Sequence, residues 1–528
     1  GRIRMGLAVS LRGSEQGSTS SYLLTAAVGC TTLAAGALAY SWFNHRASPP
    51  GPWFHLPVVG ETLELIADPA TAMWRRYKRY GKAIFRAHLF GTKWVVVGDP
   101  EMLRGPMSDP EYLQSIMPVK TFSILMGSLY NRQGDWHRIF RKHMAQQLSV
   151  QRLRESVPQF CVIFNHHVEQ WVAAASVPGA RLRLDDLTRL LIAETAFSVV
   201  AGTKLPVKEL GELVSMATTL QAGLFCVPLY FPGTTWYKAV NIRKPYLEIL
   251  AAIVTSRFTP ATPGGPLRME SDTQAPQPMD TNRAMLEELA DVGQPLTADV
   301  AALRCAQNLL GATETTAAST LALLIITSAR PDVQQKLRAE QATLIKEKGR
   351  DITWECMTPT SVPYLDACVK EVMRLAPSAH GLFRQALKDF EVGGYRIKKG
   401  TNVFVGLDLL TCMDVEQALK DKAPHWETDM GTDRVPPIAM SVMHLTEAFQ
   451  PDRWLDQKKL RTLHAFAYGP HSCLGKEFAM FEMRLIVALL CRQCTWSLPD
   501  TPEPRLNMIP FTKLANGKPE FSLTLCPL

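Results

Sequence analysis

Cys473 is the residue whose type and surroundings most directly suggest chemistry. It lies in FAYGPHSCLGKEFAMFEMR (466–484), with Phe466, Gly469, His471 and Gly475 close by. After Gly475 a helical apolar pattern begins at Phe478, Phe481, Ile486 and Leu489. A thiol on a glycine-rich turn ahead of a helix meets backbone N–H donors and the positive helix end, and both favour thiolate. The glycines let the backbone lie close to a flat ligand. No second Cys or His stands at the spacing of a structural zinc site. Cys491 and Cys494 form a CxxC, but inside an apolar helix they read as core.

Two other constellations lie upstream. KEVMRL puts Glu371 and Arg374 three apart on one helix face, and FQPDRW follows with Arg453. LGATETT (310–316) sets the small Gly311 and Ala312 ahead of an acid, Glu314, and an alcohol, Thr315. Taken alone, an ExxR is an ordinary surface ion pair and a mid-helix threonine bonds back to its own backbone. From 305 to 329 the single charge is Glu314. A long helix that is apolar nearly all round, with one polar patch midway, reads as a buried central helix rather than a second membrane span.

The elements around these residues are mainly α with a small β portion. RPDVQQKLRAEQATLIKEKG (330–349) starts with Pro331 in its first turn and stops at Gly349; a second helix covers 364–377 and ends at Pro377. Strands are expected at 93–98, 389–397 and 401–406, the middle one turning at Gly393–Gly394. The 528 residues carry 46% hydrophobic and 20% charged side chains, as a folded globular chain does, so wholesale disorder is excluded. The 11 scattered cysteines do not make a disulfide scaffold, and the +8 net charge is too mild to argue for nucleic acid.

The N-terminal region has its own organisation. Residues 1–20 read as a tail or leader, with Arg2, Arg4 and Arg12 against Glu15. Residues 21–43 hold no charge and are long enough to span a bilayer, with Tyr22, Tyr40 and Trp42 near the ends, so a transmembrane anchor is expected there. A Pro-rich hinge follows (44–60), then one domain over 61–528. MWRRYKRYGK (73–82) reads equally as a stretch resting on anionic headgroups or as a solvated helix face. Residues 258–282 hold five prolines and read as a flexible loop.

The cysteine segment resembles the haem-binding loop of the cytochromes P-450. Glu371, Arg374 and Arg453 match that family's buried charge cluster, and Gly311–Thr315 resembles its oxygen-activation motif. The resemblance spans about 49–528 and implies the P-450 fold, a single large haem-binding domain behind an N-terminal membrane helix. It implies haem b (iron-protoporphyrin IX) ligated by Cys473 as the axial metal ligand, in a loop with Phe466, Gly469, His471 and Gly475. Glu314 would then feed protons inward and Thr315 donate a hydrogen bond to dioxygen. Arg384, His471, His137 and Arg141 are the carried-over partners of the haem carboxylates. Leu310, Ala312, Ala379, His380 and Phe511 fall where the family lines its substrate pocket. Two departures stand out. The family often has Trp where this chain has His137, with Trp136 one residue early, and His471 replaces the more frequent Arg, so its charge depends on pH. Residues 407–448 are longer than the family's usual connection and are expected to loop out from the surface.

LPVVGETLELI (56–66) and FPGTTWYKAVNIR (231–243) are similar to the branch of retinoic acid, sterol, brassinosteroid and abscisic acid hydroxylases. The implied activity is a membrane-anchored monooxygenase that inserts one oxygen atom of O2 into a lipophilic substrate such as a sterol, retinoid or other terpenoid. Its electrons would come from NADPH through a flavoprotein reductase, or a ferredoxin if it is organellar. The implied site is the endoplasmic reticulum membrane with the catalytic domain cytosolic, a plastid or mitochondrion being the alternative. Two other readings remain open: an electron-independent isomerase or dehydratase acting on peroxides, and a non-enzymatic haem protein that binds lipid.

Overall fold

The computed structural model describes residues 48–528 except 53–59, 118–119, 128–132, 261–266, 270–279, 423–441, 457–461, 499–505, 508–512, 515–519 and the single positions 68, 82, 90, 225 and 257. The proposed leader, the anchor at 21–43 and Phe511 lie outside the described residues.

The molecule is built around the helix Ala298–Ser328, whose 31 residues would reach across a membrane by length and apolarity. Of its apolar window 78% is buried in the protein instead, as the single polar patch suggests. Thr297 starts it, accepting from the Val300 N–H at 3.4 Å. Against it pack the helices Leu184–Thr195, Thr235–Thr255, Pro363–Leu375 and Lys476–Gln493. The last of these follows the cysteine and is buried almost continuously from Met480 to Arg492.

The sheet portion is small. Ile84–Leu89, Thr92–Val97, Asn402–Gly406, Gly381–Ala386 and Leu113–Ser115 lie side by side in that order. The second and third pair in parallel, Trp94 opposite Asn402 and Val97 opposite Val405, so one strand of each end of the chain closes the same sheet. The hairpin Phe390–Val392/Tyr395–Ile397 turns at Gly393 and Gly394 with φ of +57° and +77°, a two-residue turn that requires positive φ at both positions. Pro331 opens the helix Pro331–Lys348, and Gly349 (φ +85°) closes it.

Pro49 and Pro50 of the hinge segment are tied to the sheet: the Arg86 N–H donates to the Pro50 carbonyl at 2.6 Å and its Nε to the Pro49 carbonyl at 2.8 Å. Two expectations change. Within 258–282, Phe258–Pro260 and Leu267–Met269 pair as a hairpin, and Thr281 already begins the helix Thr281–Asp291, which Asp280 caps. The segment 407–448 does not simply loop out. Its two ends form the helices Asp408–Lys422 and Val442–Ala448, and Leu409, Cys412, Val415, Leu445 and Ala448 are buried in the main core. Apolar residues three apart at 409, 412 and 415 give that helix a face to bury.

MWRRYKRYGK falls mostly on the helix Pro69–Tyr80. Three of its cations are taken by the protein's own carboxylates: Arg76 bonds Glu61 and Glu64, Arg75 bonds Glu64, and Lys78 pairs with Glu416.

Candidate functional site

The cysteine loop is shaped by its own backbone. The Cys473 N–H returns to the Phe466 carbonyl at 2.8 Å, closing the turn. Gly469 sits at φ +65°, and a Cβ there would lie 2.4 Å from the Met107 carbonyl oxygen, so no other residue fits. Ala467 adopts φ +57°, strain that a side-chain-bearing residue keeps only where its surroundings dictate it. Phe466 is buried in the core, whereas Cys473 is exposed. Burial of the sulfur's surroundings pushes the thiol above its ordinary value. The Gly475 N–H, Arg141 and Lys476 pull the other way without prevailing. Turn and helix end alone therefore do not deliver the thiolate expected from sequence.

Beside the cysteine is a group of cations without carboxylates. Arg141 donates to the Ser472 carbonyl and, at 3.3 Å, to the Ser472 hydroxyl. Among the described residues Arg384, 5% exposed, reaches Ser115 Oγ at 3.3 Å and its neighbour's carbonyl at 3.0 Å. Burial lowers Arg384 to about 10. The His137 and His471 rings lie 4.1 Å apart, tilted by 31°. Burial, then His137, Arg384 and Arg141 in turn, push His471 down to about 3, so it is neutral at ordinary pH rather than the pH-dependent cation expected from sequence. Among the described residues no acid pairs with Arg141, Arg384 or His471. Trp136, one position early in sequence, is engaged elsewhere: its Nε1 donates to Glu288 at 2.8 Å, and Arg304 lies over its ring at 5.5 Å.

The central helix carries the other residues singled out by the sequence. A Cβ added at Gly311 or at Gly475 would meet nothing within 4 Å. Gly311 is exposed and Ala312 and Thr315 half-buried on a helix otherwise largely buried. The Thr315 hydroxyl donates to the Gly311 carbonyl at 2.7 Å. Glu314 is buried and ion-paired with Arg189, which also holds Asp185 at 3.1 Å. A flat group bearing carboxylates fits these surroundings: glycines, a sulfur donor and two arginines that no acid among the described residues pairs with.

Glu371 is fully buried and receives four hydrogen bonds and one further ion-pair contact. Arg374 donates from Nε at 2.9 Å and Nη2 at 2.8 Å, Gln450 N at 3.0 Å, Trp454 Nε1 at 2.8 Å, and Arg453 Nε lies 3.1 Å away. The structure thus unites Glu371, Arg374 and Arg453.

It does not unite the expected pocket residues. Leu310 lines a cavity with Met126, Arg189, Phe197, Tyr246 and Glu314. Ala312 faces a separate small cavity with Cys305 and Asn282, and neither Ala379 nor the buried His380 borders either one. Sequence reasoning missed Arg189, Trp454 and Gln450. Arg189 carries one local signal, its i,i+4 relation to Asp185, but nothing marks its reach to Glu314, 125 positions on.

Comparisons with known proteins give the same picture. Residues 49–411 and 445–525 match the family model described as cytochrome P450. The chain is 26% identical over 506 residues to a taxane 10-beta-hydroxylase of Taxus cuspidata, covering 92% of this chain and 91% of the relative. It is 25% identical over 465 residues to cytochrome P450 26A1 of Xenopus laevis (85% of each). With an abscisic acid 8'-hydroxylase of Arabidopsis thaliana it shares 24% identity over 488 residues (89% and 90%). A solved cyanobacterial structure, retinoic acid bound CYP120A1, superposes with a TM-score of 0.71 at 24% identity, over 91% of this chain and 99% of that one.

Proposed function

Because this chain belongs to the cytochrome P450 family and is a P450 monooxygenase, we propose that it hydroxylates a lipophilic terpenoid-type molecule (a retinoid, sterol or other terpenoid) with Cys473 as the sulfur ligand of haem b. The observation that carries the cofactor assignment is the pair of arginines beside that cysteine, half-buried Arg141 and buried Arg384, with which no acid among the described residues pairs. Haem bound there supplies the iron at which dioxygen is reduced and one oxygen atom is made available to a C–H bond.

The remaining work belongs to the chain's own side chains. Arg141 and Arg384 hold the haem carboxylates, with His137 and His471 as hydrogen-bonding partners. Gly311 keeps the central helix from crowding the space above the ring. The Thr315 hydroxyl, now bonded to the Gly311 carbonyl, can turn toward the reacting oxygen, and Glu314 holds a proton carrier's position under the control of Arg189. Glu371, through Gln450, Arg453 and Trp454, fixes the segment that leads into the cysteine loop.

The uncharged run at 21–43 supports anchoring in the endoplasmic reticulum membrane, with electrons from NADPH through a flavoprotein reductase. The names of the relatives, hydroxylases of taxane and abscisic acid among them, support the substrate class. The test is reconstitution of the full chain in lipid with that reductase, NADPH and 18O2, against retinoids, sterols and other terpenoids. One 18O atom in a product is expected. Turnover of a hydroperoxide without reductase, with no NADPH-dependent product from any terpenoid, would overturn the proposal.

A further inference from the structure

The buried Glu371–Arg374 pair has a partner in the segment that the family match leaves out, between 411 and 445. Arg374 is only 13% exposed in its side chain, and Glu371 takes its Nε and Nη2. Its remaining nitrogen, Nη1, donates to Asp414, on the helix Asp408–Lys422. The same helix reaches Arg374 a second time, through Thr411 Oγ1 and the Arg374 carbonyl at 3.4 Å. It is set in place by buried Leu409, Cys412 and Val415. Arg374 and Asp414 also border a cavity of about 480 Å³ together with Trp454 and His464, so this charge contact lies between the Glu371 cluster and the stretch entering the cysteine loop.

The consequence follows from geometry. Glu371 orients the backbone and side chains of 450–454 only while Arg374 keeps its own orientation. A guanidinium held at Nε and Nη2 by Glu371 and at Nη1 by Asp414 has little freedom to rotate. With the third contact gone, Nη1 is left in a largely buried site with no acid, and the arginine has reason to swing toward water. We propose that Asp414 is a positioning residue for the cysteine ligand: acting through Arg374 and Glu371, it steadies the segment that carries Cys473. This rests on the haem-thiolate reading above.

The test uses the full-length holoenzyme and three variants: Asp414→Asn, Asp414→Glu and Glu416→Gln. Glu416 is on the same helix but does not touch the cluster, so its variant controls for helix packing. The readout is the red-shifted carbon-monoxide Soret band of the reduced protein, followed at a mild temperature where far-ultraviolet circular dichroism is constant. The band is expected to decay roughly tenfold faster in Asp414→Asn than in wild type, the scale of one charge-assisted hydrogen bond. Asp414→Glu should restore most of the lifetime, and Glu416→Gln should match wild type. Equal decay in wild type and Asp414→Asn overturns the proposal, as does equal acceleration in Asp414→Asn and Glu416→Gln. A wild-type protein that binds haem without the red-shifted band overturns the haem-thiolate reading, and this proposal with it.

Discussion

Glu314 and Arg189 show what single residues owe to the fold. Each is mostly buried, and removing one leaves the other charged with a partner lost. Glu314→Ala should therefore destabilise the protein by about 3 kcal/mol or more in urea unfolding, and the Glu314→Ala/Arg189→Ala double variant by less than the sum of the singles. Thr315 is a different case. Its hydroxyl makes one bond, to the Gly311 carbonyl, so Thr315→Ala should cost no more than about 1 kcal/mol of stability. In the reconstituted enzyme, however, it should lower product formed per NADPH consumed roughly tenfold, a modest share of what a positioned proton donor contributes. Equal product yields would remove Thr315 from the proposed chemistry. At this scale the sequence was informative wherever chemical types recur at short fixed offsets, as at Glu371–Arg374, Glu314–Thr315 and the glycines around Cys473. It was silent about Arg189, because only tertiary packing brings that guanidinium to Glu314. It also misjudged His471, whose neutrality comes from burial and from cations on two other elements.

Whole elements are steadied by similar long-range contacts. Glu340, on the helix Pro331–Lys348, accepts the Tyr364 and Leu365 N–H groups at 2.7 and 3.1 Å, capping the helix that carries Glu371 and Arg374. Burial raises Glu340 to about 7 against those two N–H bonds. A carboxyl raised on folding holds its proton more tightly in the folded state. Its contribution is therefore complete below about 4.5 and is lost as pH climbs through about 7. Between those values the stability difference between wild type and Glu340→Gln should change with pH, by at most about 1.4 kcal/mol per unit. A pH-independent difference would contradict the raised value. The two helices joined by this cap were legible from Pro331, Gly349 and Pro377. The ends of 407–448 were not, because a helical face of only a few apolar residues is hard to tell from loop until the core it meets is known.

For the molecule as a whole, the mostly apolar central helix announced a buried core, and the order of the motifs along the chain announced the family. The grouping of pocket residues was not legible in full, since Leu310 and Ala312 border different cavities. The buried core described in the structure is built from Pro49 onward. Fusing residues 1–47 to a soluble reporter should send it to the membrane fraction in a form that resists alkaline washing, and a chain starting at residue 48 should keep its haem spectrum. A reporter that stays soluble would contradict the anchor. The most direct measurement of the central claim is the carbon-monoxide difference spectrum of the reduced protein with and without the Cys473 sulfur. Wild type should show the red-shifted Soret band, and Cys473→Ala should lose it while its circular dichroism stays that of the folded protein. A band retained by the folded variant would contradict the account.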